Sequence, residues 1–286
     1  MQDWRRGSLG LAALLLSTGL AAKDLQRQVP FKLYHGYTVV AQGSIGDVRH
    51  LNFLIDTGAV PSVIDERLAR RLRLSGEAEQ LSVFNRTLQA RRVIVPELQL
   101  GPVRAEALPV LVRDLSFVED GIGVRVDGMI GLDVLKGENF TIDYETKKLL
   151  FGERDAFESS AALVAGPGYV AVQMLVNGQP VHLMVDTGAK DLILFGPMLR
   201  GRLPGARIEG AKQSENMSGA VPLKRVSLPA TRLGNDELGS VTGFLMETLP
   251  AGLPGFDGLL GVTSLGARRV NFDFGTRTIR WEKRRR

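Results

Sequence analysis

Asp186-Thr187-Gly188-Ala189 closes an apolar run that begins at Val181, and the same four residues, Asp56-Thr57-Gly58-Ala59, close a second run that begins at His50. A strand that ends in a carboxylate, a hydroxyl and a glycine presents an acid at a tight backbone turn. Two such ends brought face to face would pair their carboxylates.

The surrounding landmarks test whether this is a coincidence. Asp56 and Asp186 are 130 residues apart, and so are Asp127 and Asp257, and Asp143 and Asp273. Asp127-Gly-Met-Ile-Gly131 matches Asp257-Gly-Leu-Leu-Gly261, and the strand pair Asn139–Tyr144 and Lys148–Phe151 matches Asn271–Phe274 and Thr278–Trp281. In the middle of each half the register slips, so that Leu100-Gly101 corresponds to Leu233-Gly234, three residues further on. A repeat this long means two similar lobes rather than a stack of small units.

Composition agrees with short strands and many turns. The chain has 286 residues, 33 of them Gly and 13 Pro, and long apolar-periodic helical segments are scarce. Tyr37–Ile45 reads as a strand that turns at Gly46-Asp47 into the run before Asp56. Asn177-Gly178 between two apolar runs is a hairpin signal for the second half. Asp65 to Leu74 has helical spacing, with Asp65 as the cap, and Leu132 to Leu135 reads as a helical turn. The expected organisation is a leader over 1–22, a first lobe over 29–152, a linker over 153–168 and a second lobe over 169–286.

The leader has a basic pair, Arg5-Arg6, then an apolar, small-residue stretch from Leu9 to Ala22 that ends at Gly19-Leu20-Ala21. It reads as a signal peptide with cleavage after Ala21, which implies export to a periplasmic space; an uncleaved membrane anchor is the alternative. The residues around the Arg pair match a twin-arginine signal poorly. With no cysteine, disulfides, thiolate metal sites and cysteine nucleophiles are excluded. The net charge of +5 is spread along the chain, and the basic run Lys283–Arg286 reads as a solvated tail, so no nucleic-acid partner is expected. His35, His50 and His182 have no metal-ligand spacing, and no cofactor or metal is expected. Gly121-Ile-Gly123 begins like a dinucleotide fingerprint but has Val126 where the third Gly belongs.

These motifs resemble those of the two-lobed bacterial retropepsin-like and pepsin-like aspartic proteases: an apolar strand into Asp-Thr-Gly-Ala, then an apolar-apolar-Gly motif some seventy residues on, twice. The resemblance covers roughly residues 31–282. It implies an all-β chain of two similar β-barrel-like lobes related by an internal pseudo-two-fold axis, with a few short helices. It implies that Asp56 and Asp186 meet at that axis as catalytic acids. It implies that Thr57, Gly58, Thr187 and Gly188 support the loops, with Ile130-Gly131 and Leu260-Gly261 packed beside them. The expected activity is that of an aspartic endopeptidase acting on a peptide or protein as a monomer, since one chain supplies both acids. A membrane would be met only through an uncleaved N-terminal segment. The alternative is a non-catalytic peptide-binding or scaffold protein on the same fold.

Peptide hydrolysis without a metal or a covalent nucleophile needs an activated water and an acid for the leaving amine, and two carboxylates sharing one proton supply both. Asp127, Asp257, Asp143 and Asp273 also repeat, but read as turn and hairpin residues. Lys190 follows the second motif where Val60 follows the first, and reads as a surface residue. A covering hairpin, or flap, is expected over 81–93, with Asn85-Arg86 at its turn, and over 212–223, with Ser218-Gly219 at its tip. Only the second has flap-like composition, so the expected substrate access is asymmetric.

Overall fold

The computed structural model describes residues 27–83, 86–152, 156–199, 201–216, 219–247 and 255–284. The expected leader over 1–22 lies outside these, as do Asn85 and Ser218 at the expected hairpin turns.

The chain folds as two β lobes with the same strand plan and short helices between strands. In the first lobe the strands run in the spatial order Gln28–Tyr34, Thr38–Ile45, Val48–Ile55, Gly128–Ile130, Val63–Asp65, Val103–Arg113, Arg86–Leu100, Glu77–Val83. In the second the order is Val164–Ala165, Val170–Val176, Gln179–Asp186, Gly258–Gly261, Leu192–Phe195, Asp236–Met246, Gly219–Leu233, Arg207–Asn216. An extra pairing curls each sheet towards a barrel: Ser44 and Ile45 meet Gln99 and Leu98 in the first, and Met174 to Val176 meet Leu233 to Thr231 in the second. Asn177 and Gly178 both have positive φ, 48° and 77°, as the tight hairpin turn between Val170–Val176 and Gln179–Asp186 requires.

The lobes are joined below by a six-stranded layer in which one strand from the 153–168 segment and two from the second lobe lie beside three from the first. Its order is Ser159–Ala162, Thr278–Lys283, Ala267–Asp273, Phe140–Asp143, Lys148–Phe151, Gln28–Tyr34. The central pair crosses between lobes, with Phe140 opposite Phe272 and Thr141 opposite Asn271. Thr141 and Asn271 are themselves repeat counterparts, 130 apart, and Asn271 Nδ2 donates to Thr141 Oγ1 at 3.0 Å. Counterparts that face each other mark a two-fold axis passing between them. Phe140 and Phe272 stack at 4.7 Å beside that axis, and both are fully buried. The segment 153–168 contributes two strands of its own, Ser159–Ala162 and Val164–Ala165.

The three-residue register slip has a physical location. The first arm of the long hairpin has seven residues in the first lobe, Glu77–Val83, and ten in the second, Arg207–Asn216. A bulge between Ile208 and Gly210 takes up part of the excess. Downstream the second lobe is three residues shorter between Leu233 and Asp257 than the first between Leu100 and Asp127, where the first lobe carries the helix Ser116–Ile122. The expected hairpin tips at Asn85 and Ser218 lie outside the described residues, while the arms that lead to them are described. Val83 pairs with Arg86 and Asn216 pairs with Gly219, and the second arms are both fifteen residues long.

Candidate active site

Each Asp-Thr-Gly turn is anchored by the strand before it. Ile55 lies parallel to Ile130, while Val185 and Asp186 lie parallel to Leu260 and Gly261. Successive strand residues alternate in direction. Ile55, Val185, Ile130 and Leu260 therefore enter the main core, where all four are fully buried. Leu54 and Met129, and Met184 and Leu259, take the opposite face, which also carries the Asp carboxylates.

The second motif must be glycine because it touches the Asp turn. A Cβ at Gly131 would lie 1.9 Å from the carbonyl oxygen of Ala59, and one at Gly261 would lie 2.6 Å from that of Ala189. Asp127 and Asp257 do more than form turns. Each is buried, and its Oδ2 accepts a backbone N–H on the strand leading to the acid, from Asn52 and from His182, both at 2.9 Å. Asp143 behaves as a hairpin residue, its Oδ1 accepting from Glu145 N and Thr146 N.

Thr57 and Thr187 join the two turns reciprocally. Thr57 N donates to Thr187 Oγ1 at 2.9 Å, and Thr187 N donates to Thr57 Oγ1 at 3.0 Å. Each hydroxyl donates onward into the other lobe, Thr57 Oγ1 to Val185 O at 2.9 Å and Thr187 Oγ1 to Ile55 O at 3.0 Å. Both threonines are buried, so these four bonds satisfy the N–H and hydroxyl donors that each brings to the seam.

The two carboxyls face one another across the same seam. Gly58 N donates to Asp56 Oδ1 at 2.8 Å, and Gly188 N donates to Asp186 Oδ1 at 2.8 Å, with Ala189 N adding a third bond at 3.1 Å. A Cβ at Gly58 would lie 2.7 Å from Asp186 Cγ, and one at Gly188 would lie 2.7 Å from Asp56 Cγ. Each glycine is thus the floor on which the other lobe's carboxyl rests. Burial pushes the Asp56 carboxyl well above the usual carboxylate range, and the charge of Asp186 and a hydrogen bond with it push it further. Burial also raises Asp186, against hydrogen bonds from Asp56, Gly188 N and Ala189 N that favour its ionised form. Two coupled acids of this kind titrate as a pair.

A profile of the family described as aspartyl protease matches the chain twice, over residues 41–134 and 172–263. The chain belongs to the aspartyl protease family. The two matches fall one in each lobe and each spans an Asp-Thr-Gly turn and its partner glycine motif. No curated protein matches the chain.

The site of this aspartyl protease family member has one support that carries no signal in the repeat. Ser62 N and Ser62 Oγ donate to the two Asp133 carboxylate oxygens at 2.7 and 2.6 Å, and Ser62 Oγ accepts from Gly131 N at 2.9 Å. This ties the chain after the first Asp turn to its glycine motif. The second lobe uses other atoms: Thr263 Oγ1 donates to Lys190 O at 3.0 Å, and Ser264 Oγ donates to Gly261 O at 2.6 Å. Since Asp133 has Thr263 at its repeat position, no duplicated acid signalled it.

Proposed function

We propose that the chain is an aspartic endopeptidase in which Asp56 and Asp186 together activate a water for attack on a peptide carbonyl. The observation that carries this reading is the approach of the two carboxyls across the lobe seam, each over the other's glycine. Like charges at this separation do not both ionise, and the acid pair of aspartic proteases in general is the well-known example. In the singly protonated pair, the ionised carboxylate takes a proton from water as the oxygen attacks the carbonyl carbon. The protonated partner donates a hydrogen bond to the carbonyl oxygen as negative charge develops there. Collapse of the tetrahedral intermediate breaks the C–N bond, and the proton taken from water passes to the leaving amine.

Thr57 and Thr187 act as positioning residues in this reading, fixing the turns on which the carboxyls sit. Gly58 and Gly188 supply the N–H donors that hold one oxygen of each carboxyl. A single chain contributes both acids, so the proposed active form is a monomer acting on a peptide or protein. The leader over residues 1–22 supports an exported, periplasmic enzyme.

The test is cleavage of a diverse peptide library by the purified protein and by its Asp186→Asn variant, followed by mass spectrometry. The reading requires cleavage by the wild type and its loss, by at least ~1000-fold, in the variant, because the ionised and protonated roles cannot both be filled by one acid. Peptide binding without turnover in the wild type would instead describe a binding protein on this fold.

A further inference from the structure

At one end of the six-stranded layer a cavity of about 610 Å³ is lined by Tyr144, Glu145, Arg268 and Arg284. None of these residues belongs to the Asp turns or to the long hairpins. Tyr144 and Glu145 open the turn between Phe140–Asp143 and Lys148–Phe151 in the first lobe. Arg268 lies in Ala267–Asp273 and Arg284 follows Thr278–Lys283, both in the second lobe. Backbone bonds fix these walls: Tyr144 N donates to Arg268 O at 2.9 Å, and Arg284 N donates to Gly266 O at 3.1 Å.

The polar groups of the cavity are unequally matched. Arg268 Nη1 donates to Glu145 Oε2 at 2.6 Å and its Nη2 lies 2.9 Å from Glu282 Oε2, so two carboxylates already neutralise that guanidinium. Arg284 is exposed, and its guanidinium makes no ion pair among the described residues. Tyr144 is 4% exposed, and its hydroxyl is buried without a hydrogen-bond partner among the described residues. Burial holds that hydroxyl above the ordinary tyrosine pKa, so it stays protonated and able to donate.

The internal repeat shows that the fold does not require these side chains. At the offset of 130, Tyr144 has Phe274 as its counterpart, Glu145 has Gly275 and Arg268 has Glu138. Phe274 supplies the same ring without the hydroxyl. Glu138 has the opposite charge and pairs with Arg27 at 2.5 Å. The unpaired hydroxyl and the arginines are therefore particular to the end of the layer that holds this cavity.

We propose that the cavity is a binding site for a small carboxylate-bearing ligand, with Arg284 as its ion-pair partner and the Tyr144 hydroxyl as its second donor. One unbalanced guanidinium matches a single negative charge, and a planar carboxylate fits its paired N–H groups. Glu145 and Glu282 disfavour a doubly charged phosphate. The volume suits a small organic molecule rather than a bare ion. A free organic acid and the C-terminus of a short peptide share this chemistry. The bound ligand would link the first lobe's turn to the second lobe's C-terminal strand, away from the paired acids.

The experiment is isothermal titration of the purified full chain with succinate and with N-acetyl-trialanine, and with N-acetyl-trialanine amide and inorganic phosphate as controls. The same titrations are run on Arg284→Gln and Tyr144→Phe, with the melting temperature of each recorded. At least one carboxylate should bind saturably, at about 0.1–1 mM, and more tightly than phosphate, while the amide should not bind. Arg284→Gln should weaken binding about tenfold or more and Tyr144→Phe about threefold or more. Both variants should fold, since Arg284 is exposed and the repeat already places Phe at the position of Tyr144. Binding of succinate alone supports a free acid as the ligand, and binding of the peptide acid alone supports a peptide terminus. The inference is overturned if neither carboxylate binds, if the amide or phosphate binds equally well, or if either variant binds as tightly as the wild type.

Discussion

Thr57 and Thr187, 130 residues apart, exchange hydrogen bonds across the lobe boundary, each backbone N–H to the other's hydroxyl at 2.9 and 3.0 Å. Each hydroxyl also donates to a carbonyl of the opposite lobe, at Val185 and Ile55. The bonds tie lobe to lobe at the same point where the two acids meet. Folding and the geometry of the site are therefore one structural problem here.

Replacing Thr57 by Val removes a donor and an acceptor at once and leaves Thr187 N–H buried without its partner. The expected loss is on the order of 2–4 kcal/mol in urea unfolding. Thr57→Ser keeps the hydroxyl and should lose less than half of that. Because the two threonines form one network, the Thr57→Val/Thr187→Val double variant should cost clearly less than the sum of the single variants. Additive losses would mean that the reciprocal bonds are not coupled.

Protonation of the acid pair should appear in stability as well as in activity. Both carboxyls are raised by burial above the usual value of 3.8. The folded protein therefore keeps protons that the unfolded chain releases above about that pH, and the pair's contribution to stability falls as pH rises from there through the folded values. Asp56→Asn removes this penalty while its amide oxygen can still accept from Gly58 N. The variant should melt higher than the wild type near pH 7 and at nearly the same temperature near pH 3. A difference independent of pH would contradict the raised values. Asp273 runs in the opposite sense. Burial pushes it up, but hydrogen bonds from the Thr276 N–H and hydroxyl, the Arg280 charge and a bond from Asn139 together bring it below 3.8. Its stabilisation is present above that value and lost as pH falls through the folded value, so Asp273→Asn should cost stability at pH 7 but little near pH 2.

The contact between Gly131 and Ala59 leaves no room for a side chain. A Cβ 1.9 Å from the Ala59 carbonyl oxygen cannot be relieved by a rotamer change, because the atom it meets is backbone. Gly131→Ala should cost about 3 kcal/mol or more and displace the Asp56 turn. Peptidase activity should fall further than stability alone explains, read as kcat at a temperature where the variant is fully folded.

Asp133 should act as a positioning residue through Ser62. Asp133→Ala removes both acceptors of Ser62 and frees the hydroxyl that receives Gly131 N. The expected result is a roughly 10- to 100-fold fall in kcat with a small change in KM. Asp133→Asn keeps one acceptor oxygen and should recover part of the loss. Equal effects on KM and kcat, with no rescue, would assign Asp133 to general stability instead.

Much of the site was legible because it is duplicated. Three pairs of acids sharing one offset located the turns, and the slip at Leu100-Gly101 marked where the repeat departs, beside the first hairpin arm and the Ser116–Ile122 helix. The interlobe layer was not legible. Alternation in Phe140–Asp143 and Ala267–Asp273 identifies each as a strand, but nothing local states that the two pair with each other across the lobes. Ser62 and Asp133 escaped notice because the second lobe holds its loop with Thr263 and Ser264.

The central claim is that acids from two lobes form one catalytic unit, and single and double replacement tests it most directly. Asp56→Asn, Asp186→Asn and the double variant should each be assayed for kcat/KM on one cleaved peptide, with folding verified by melting temperature. Two acids acting as one unit predict that either single replacement abolishes activity as completely as the double one. Appreciable cleavage by either single variant, or losses that multiply in the double variant, would contradict a shared dyad.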